Sequence, residues 1–362
     1  MATDAAADIA VGLSGGVDSS VAAILLKRAG RSPAGVTMRL WREGSYRGGC
    51  GDACFGPGEK DDVALASALA RRLSIPYRSF DCSEEYEKIV LDYFRRERTA
   101  GRTPNPCIVC NRNMKFGLLP KMAAKELGFD KFATGHYARI VERSGRLAIA
   151  RAADGGKDQS YFLWGLSQEQ IARAMFPLGE LSKGEVREIA REAGLPMADK
   201  ADSQDFYSGD SNELLDTKDR PGDIVTTNGK KLGTHRGYWH YTVGQRQGLG
   251  IGGGTPFYVV RVDACRNEVV VGRREDAVSS SLVVRNLNWQ GIAETAEPVT
   301  GFVKIRSTGK PIGPVTFENG VLRASCDLFG VAPGQSAVIY GDDGTILCGG
   351  VIDGLAQSQA SS

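Results

Sequence analysis

Residues Gly12 to Ser20 read Gly-Leu-Ser-Gly-Gly-Val-Asp-Ser-Ser, a composition suited to closing around phosphate. Gly15 and Gly16 tolerate positive φ and let backbone N–H groups approach oxyanions. Ser14, Ser19 and Ser20 add hydroxyl donors, whereas Asp18 makes sense beside phosphates only where a Mg2+ ion bridges them. The run lacks the Gly-Lys-Ser/Thr ending of a Walker A loop and does not follow Gly-x-Gly-x-x-Gly. Neither γ-phosphate transfer nor dinucleotide binding therefore fits it. A second group of chemically capable residues is sulfur. Cys50 and Cys54 form a C-x3-C pair, and Cys107 and Cys110 a C-x2-C pair, each in a Gly- or Pro-rich stretch. Cys82, Cys265, Cys326 and Cys348 stand singly and read as small hydrophobes.

The elements that must position these groups alternate. Ile9 to Leu13 is a short apolar run ending in the glycine turn, and a helical stretch from Ser20 stops at Gly30. That strand–turn–helix setting is where an open α/β sheet binds phosphate, and it argues against a merely structural turn. Ala34 to Leu40 and Ile75 to Phe80 read as strands, with helices over Asp61 to Leu73, Glu84 to Arg98 and Lys115 to Leu127. Lys131 to Thr134 is a further strand, and Lys183 to Ala193 a further helix. This alternation predicts an α/β fold with a parallel sheet over residues 1–207. From Pro221 onward short alternating runs, such as Phe257 to Val262 and Glu268 to Val271, are separated by turn dipeptides. They predict a small β module over 208–275, a β-barrel over 276–356 and a polar tail over 357–362.

Composition sets wide bounds. The 362 residues are 42% hydrophobic and 24% charged, an ordinary globular mixture with length for two or three domains. The net charge of +2, from 45 basic and 43 acidic residues, neither favours nor excludes a nucleic-acid partner. No apolar run approaches the ~18 residues a membrane span needs. The opening Met1-Ala2-Thr3-Asp4 has no secretory character, so a cytoplasmic protein with no membrane partner is expected.

The Ser-Gly-Gly-Val-Asp-Ser run resembles the pyrophosphate loop of the N-type ATP pyrophosphatases, which cleave ATP between the α and β phosphates to adenylate a carbonyl. Further segments narrow the likeness: Gly101 to Cys107 with Cys110-Asn111, Ala133 to Arg139, Lys157 to Leu163, Pro177-Leu178-Gly179 with Lys183, Gly233 to Arg246, and Pro333-Gly334-Gln335. In order from about residue 8 to about residue 354, they resemble the tRNA-specific 2-thiouridylases. The resemblance implies ATP-dependent replacement of the C2 oxygen of the wobble uridine by sulfur, with tRNA as partner and release of AMP and pyrophosphate. It implies that Gly12, Leu13, Ser14, Gly15, Gly16, Val17, Asp18, Ser19, Met38 and Gly135 bind ATP. Asn105, Pro106 and Cys107 would approach the base with His136 nearby, while Lys157, Asp158, Gln159, Arg306 and Gln335 would touch tRNA. Taken alone, Lys157-Asp158-Gln159 reads equally well as a solvated helix start before Ser160.

By the same resemblance Cys110 is the first catalytic cysteine, joined by Cys107 and Asp18 in the catalytic set. At the mouth of a helix beginning near Cys110 its thiol should have a lowered pKa, with Lys115 and Arg112 adding to the effect. The family's second, persulfide-carrying cysteine should follow the stretch Asp202 to Ser208, yet Phe206 or Tyr207 occupies its place. Two repairs are open. One of Cys107, Cys110, Cys50 and Cys54 carries the persulfide, supplied by a carrier protein or hydrosulfide; or these four hold Zn2+ or a [4Fe–4S] cluster. The rivals are thiolation of a different RNA base or position, and a tRNA-binding protein without activity.

Overall fold

The structure is a computed structural model that describes residues 7–49, 53–198, 205–252 and 256–356. Its N-terminal part is the expected α/β layer. Five parallel strands run in the order Tyr77–Asp81, Pro33–Arg39, Ile9–Gly12, Lys131–Ala133 and Ala174–Met175. The first strand in sequence, β1 (Ile9–Gly12), is central, with its neighbours lying to either side of it. The order reverses there, which opens a crevice at its carboxyl end. Three segments meet at that edge: the Gly12–Ser19 loop, the end of the strand Pro33–Arg39 with Met38, and Thr134 to His136 after Lys131–Ala133.

The helix after the loop, α1 (Val17–Arg28), is apolar on nearly every side. It is enclosed between the sheet and the helix Lys183–Glu192 and therefore holds the loop on a rigid base. The helix Glu59–Leu73 starts with Glu59, Asp61 and Asp62 and ends with Arg71 and Arg72, charges that complement its dipole. The expectation for the cysteine helix is corrected. The chain becomes helical at Pro106 rather than at Cys110 or Lys115, because proline at the first position suits a helix start. It stays helical to Leu127 through a π-type stretch, Cys110–Leu118, and ends at Gly128 with φ 68°.

Two short pairings lie outside the sequence expectations, although the first turns on Ser144-Gly145, with φ 50° and 72°, which is a hairpin signal in the sequence. The hairpin Ala138–Arg143 with Arg146–Arg151 is one, and the parallel pair Ala53–Phe55 with Asp205–Tyr207 is the other. Beyond them lies a four-stranded sheet, Lys231–His235, Gly222–Thr226, Glu268–Gly272 and Tyr258–Asp263. A closed six-stranded barrel follows, opening with Val278–Trp289 and closing with Ile346–Leu355. Among the described residues no helix is long and apolar enough to cross a membrane.

Candidate active site

The glycine-serine loop is tied down by its own hydroxyls. Ser14 N–H donates to Ser19 Oγ at 3.1 Å, while the Ser19 and Ser20 hydroxyls donate to the Gly16 carbonyl at 3.1 and 2.8 Å. The loop returns to the sheet through Leu13 N–H on the Val36 carbonyl and the Thr37 hydroxyl on the Leu13 carbonyl. Gly16 is the N-cap of α1 and no side chain caps the first turn, so the N–H groups there are set to hold an oxyanion. Glycine is required at two points. Gly15 has φ 75° and a Cβ there would lie 2.6 Å from the Asp62 carbonyl oxygen. A Cβ on Gly135 would lie 2.6 Å from Asp18 C and Ser19 N, so the Thr134–His136 turn presses on the start of α1.

Asp18 is not an isolated acid. Lys183 Nζ lies 2.8 and 3.0 Å from its two carboxylate oxygens, and the Tyr137 hydroxyl donates to it at 2.9 Å. Lys183 opens its helix behind a capping box formed by Ser182 and Glu185. Tyr137 is held in turn by Gln159: its N–H donates to Gln159 Oε1 at 2.9 Å, and Gln159 N–H donates to its carbonyl at 2.8 Å. Lys183 and Tyr137 stand in the quoted motifs, but sequence reasoning gave neither a role; the acid of the loop and a lysine in a family-typical motif were the available signal.

The sulfur region lies further along the same sheet edge. Lys115, one turn beyond Cys110, exerts its charge on both Cys110 and His136, and Phe116 packs 5.7 Å from the His136 ring. The helix Pro106–Leu127 thus links the two halves of the site. Cys107 occupies its first turn, whereas Cys110 is one turn inside. This overturns the expected lowered pKa of Cys110: burial pushes its thiol up to about 11, and the Lys115 cation only partly offsets that. The loop before the helix is clamped from the barrel. Gln335 Nε2 donates to the Thr103 and Pro104 carbonyls at 3.1 and 3.2 Å, and Thr103 N–H donates to the Pro333 carbonyl at 2.7 Å. Arg102 adds bonds to Glu97, Asp353 and the Ile352 carbonyl. Asn105 and Pro106 are buried at the end of this loop, with Asn105 N–H on the Tyr93 hydroxyl.

Other candidate residues take less direct places. Met38 is half-buried at its strand end, where an adenine could lie. His136 is buried, bonded through Nδ1 to the Thr134 hydroxyl at 2.8 Å and flanked by Phe116 and Phe176. Burial, helped by the Lys115 charge, holds its pKa well below the usual histidine range. The carboxylate of Asp158 is 2% exposed; it accepts from Ala152 and Ser160 N–H and faces Arg151 and Lys304. A direct contact of that carboxylate with RNA is corrected to an internal one, because no face of it reaches solvent. Lys157 and Gln159 are half-buried beside it. Arg306 stays on the barrel, donating to the Phe329 carbonyl with its guanidinium over the Phe329 ring. Among the described residues, no group of three His, Cys, Asp or Glu side chains is placed to hold a metal. Cys50 and the stretch Asp202 to Gln204 lie outside the described residues.

Three family models match in succession: tRNA methyl transferase HUP domain over residues 7–207, tRNA methyl transferase PRC-barrel domain over 213–273, and aminomethyltransferase beta-barrel domain over 279–352. A tRNA-specific 2-thiouridylase MnmA of Endomicrobium trichonymphae is 45% identical, over 95% of this chain and 98% of that one. The chain belongs to the tRNA-specific 2-thiouridylase family. Relatives of the same name from a Nostoc species and from Clostridium perfringens are 43% and 40% identical, covering 95% and 96% of this chain and 98% of each of theirs. This 2-thiouridylase-family chain therefore matches its relatives through all three of its parts, the barrel that grips the cysteine loop included.

Proposed function

We propose that this chain is an ATP-dependent tRNA sulfurtransferase that makes 2-thiouridine at the wobble position. The uridine C2 oxygen attacks the α-phosphorus of ATP and pyrophosphate leaves. A sulfur nucleophile then attacks C2, and the C–O bond breaks with AMP carrying off the oxygen. Adenylation is needed because the oxygen of a urea-like carbonyl is a poor leaving group, whereas AMP is a good one.

The observation that carries this reading is the uncapped first turn of α1 behind Gly15 and Gly16, in a chain whose full-length relatives are named for the reaction. Backbone N–H groups at 17–19 would bind the pyrophosphate and stabilise the charge that grows on it as the α–β bond breaks. Mg2+ would offset the phosphate charge, while the Asp18 carboxylate is engaged on both oxygens by Lys183 and fixes that cation rather than a metal. Lys183, already beside Asp18, supplies a fixed positive charge to the same corner. Met38 would carry the adenine, and the clamped Thr103–Pro106 loop would bring Asn105 and Cys107 to the flipped base. Asn105, Pro106, Cys107, His136, Lys157, Gln159, Arg306 and Gln335 are the groups assigned to tRNA and its target base. The sulfur comes from a persulfide carrier or from hydrosulfide.

The test is the purified chain with unmodified tRNA, Mg-ATP and a sulfide source. AMP and 2-thiouridine should accumulate in equal amounts, measured by nucleotide chromatography and nucleoside mass spectrometry. Absence of tRNA-dependent AMP overturns the proposal, and sulfur on another nucleoside replaces the wobble uridine as target.

A further inference from the structure

Two thiols are needed to pass sulfane sulfur and leave a thiocarbonyl: one accessible to a donor, and a second to break the resulting S–S bond. Among the described residues, Cys82 and Cys348 are buried, and Cys265 and Cys326 lie in the two β modules. Cys54 is different. It is exposed on the short strand Ala53–Phe55, and the neighbouring Phe55 ring faces inward, 5.0 Å from the ring of Tyr86. The turn that follows Tyr86, Glu87–Leu91, packs on the helix start Pro106–Val109, so Tyr86 brings the Cys54 strand up to the Cys107/Cys110 helix. Cys110, on that helix, packs against the same apolar cluster as Phe55 and Tyr86. On its far side the strand pairs in parallel with Asp205–Tyr207, Ala53 opposite Asp205 and Phe55 opposite Tyr207, so that Cys54 flanks Phe206.

We propose that Cys54 is the sulfur-accepting thiol of this chain and that Cys110 resolves it. The assignment rests on the sulfurtransferase reading above. The Cys54 thiolate attacks the outer sulfur of a persulfide donor, whose thiolate leaves and takes up a proton. The new terminal sulfur of Cys54, deprotonated, attacks C2 of the adenylated uridine, and AMP departs with the C–O electron pair. Cys110 then attacks the Cys54 Sγ, and the electrons of the broken S–S bond pass to the outer sulfur, which becomes the thiocarbonyl. A Cys54–Cys110 disulfide remains, and an exogenous dithiol supplies the two electrons that reopen it. The recessed position of Cys110 suits the second role, since a bulky donor reaches the exposed thiol first.

The experiment compares the full chain with Cys54→Ser and, as a control, Cys326→Ser, each given tRNA, Mg-ATP and a low-molecular-weight persulfide in a single turnover. Cys54→Ser should release pyrophosphate at the normal rate yet form 2-thiouridine at least about tenfold more slowly, and sodium sulfide, attacking C2 directly, should restore the product. Non-reducing peptide mapping of the wild type after turnover without dithiol should recover Cys54 joined to Cys110. Normal 2-thiouridine formation by Cys54→Ser, or a Cys107–Cys110 bond with Cys54 unmodified, overturns the assignment. Loss of pyrophosphate release in the wild type itself would instead remove the sulfurtransferase reading.

Discussion

Lys183 holds both carboxylate oxygens of Asp18, at 2.8 and 3.0 Å, across 165 residues of sequence. The pair joins the first turn of α1 to the first turn of the helix Lys183–Glu192, so the phosphate loop is braced from the far end of the α/β layer.

Lys183→Met should uncouple that brace. The Lys183 side chain is 10% exposed and that of Asp18 27%, so loss of the cation should destabilise by about 2 kcal/mol, below the ~3–5 kcal/mol of a fully buried pair. If Lys183 also serves the pyrophosphate, tRNA-dependent AMP formation should fall about 100-fold, and Asp18→Asn should fall at least as far with a smaller change in melting temperature. Melting curves alongside AMP assays check both. A variant that melts early yet makes AMP normally would confine Lys183 to structure.

Gly135→Ala places a Cβ 2.6 Å from backbone atoms of Asp18 and Ser19, which cannot swing aside as a side-chain end could. Either the Thr134–His136 turn or the start of α1 must move, at about 1–3 kcal/mol. Since the moved atoms belong to the phosphate-binding turn, ATP affinity should drop about tenfold. Titration calorimetry with a non-hydrolysable ATP analogue measures this. Gly354→Ala, where the new Cβ meets nothing within 4 Å, should bind nucleotide normally.

Gln335 is assigned to tRNA by resemblance, and in the structure its amide nitrogen donates to the Thr103 and Pro104 carbonyls. Gln335→Met keeps the length and removes both bonds, about 1–3 kcal/mol together. The expected result is faster hydrogen exchange at the Thr103 amide and a lower thiolation kcat, with tRNA affinity unchanged. Weaker tRNA binding with unaltered exchange would return Gln335 to the RNA surface.

What the sequence disclosed was local. Gly12 to Ser19 needs only its own residue types and the strand and helix on either side, and the structure arranges it accordingly. The parallel sheet was legible for the same reason, since strands such as Pro33–Arg39 and helices such as Glu59–Leu73 carry distinct periodicities. Contacts across long separations were not. The Lys183 and Gln335 links span 165 and 232 residues, and three-residue strands such as Ala53–Phe55 are too short to show alternation. Cys110 was misjudged because the helix start was set one turn late and because the desolvation of a thiol depends on neighbours that no local pattern reveals.

His136 yields a pH prediction whose sign follows from its burial. Its folded pKa lies well below the 6.5 of the free side chain, chiefly through desolvation and secondarily through the Lys115 cation. Above pH 6.5 neither folded nor unfolded chain protonates it, and it makes no pH-dependent contribution. Below 6.5 the unfolded chain binds a proton that the folded chain refuses, so stability falls with pH at up to about 1.4 kcal/mol per unit until the folded pKa is reached. His235 and His240 are shifted the same way by burial, so the wild type alone cannot isolate the effect. His136→Asn retains a polar group for the Thr134 hydroxyl and removes the titration. Denaturant midpoints between pH 7.5 and 5.5 should therefore fall less steeply in the variant. Parallel slopes would mean that His136 takes up its proton inside the folded protein, against the apolar enclosure formed by Phe116 and Phe176.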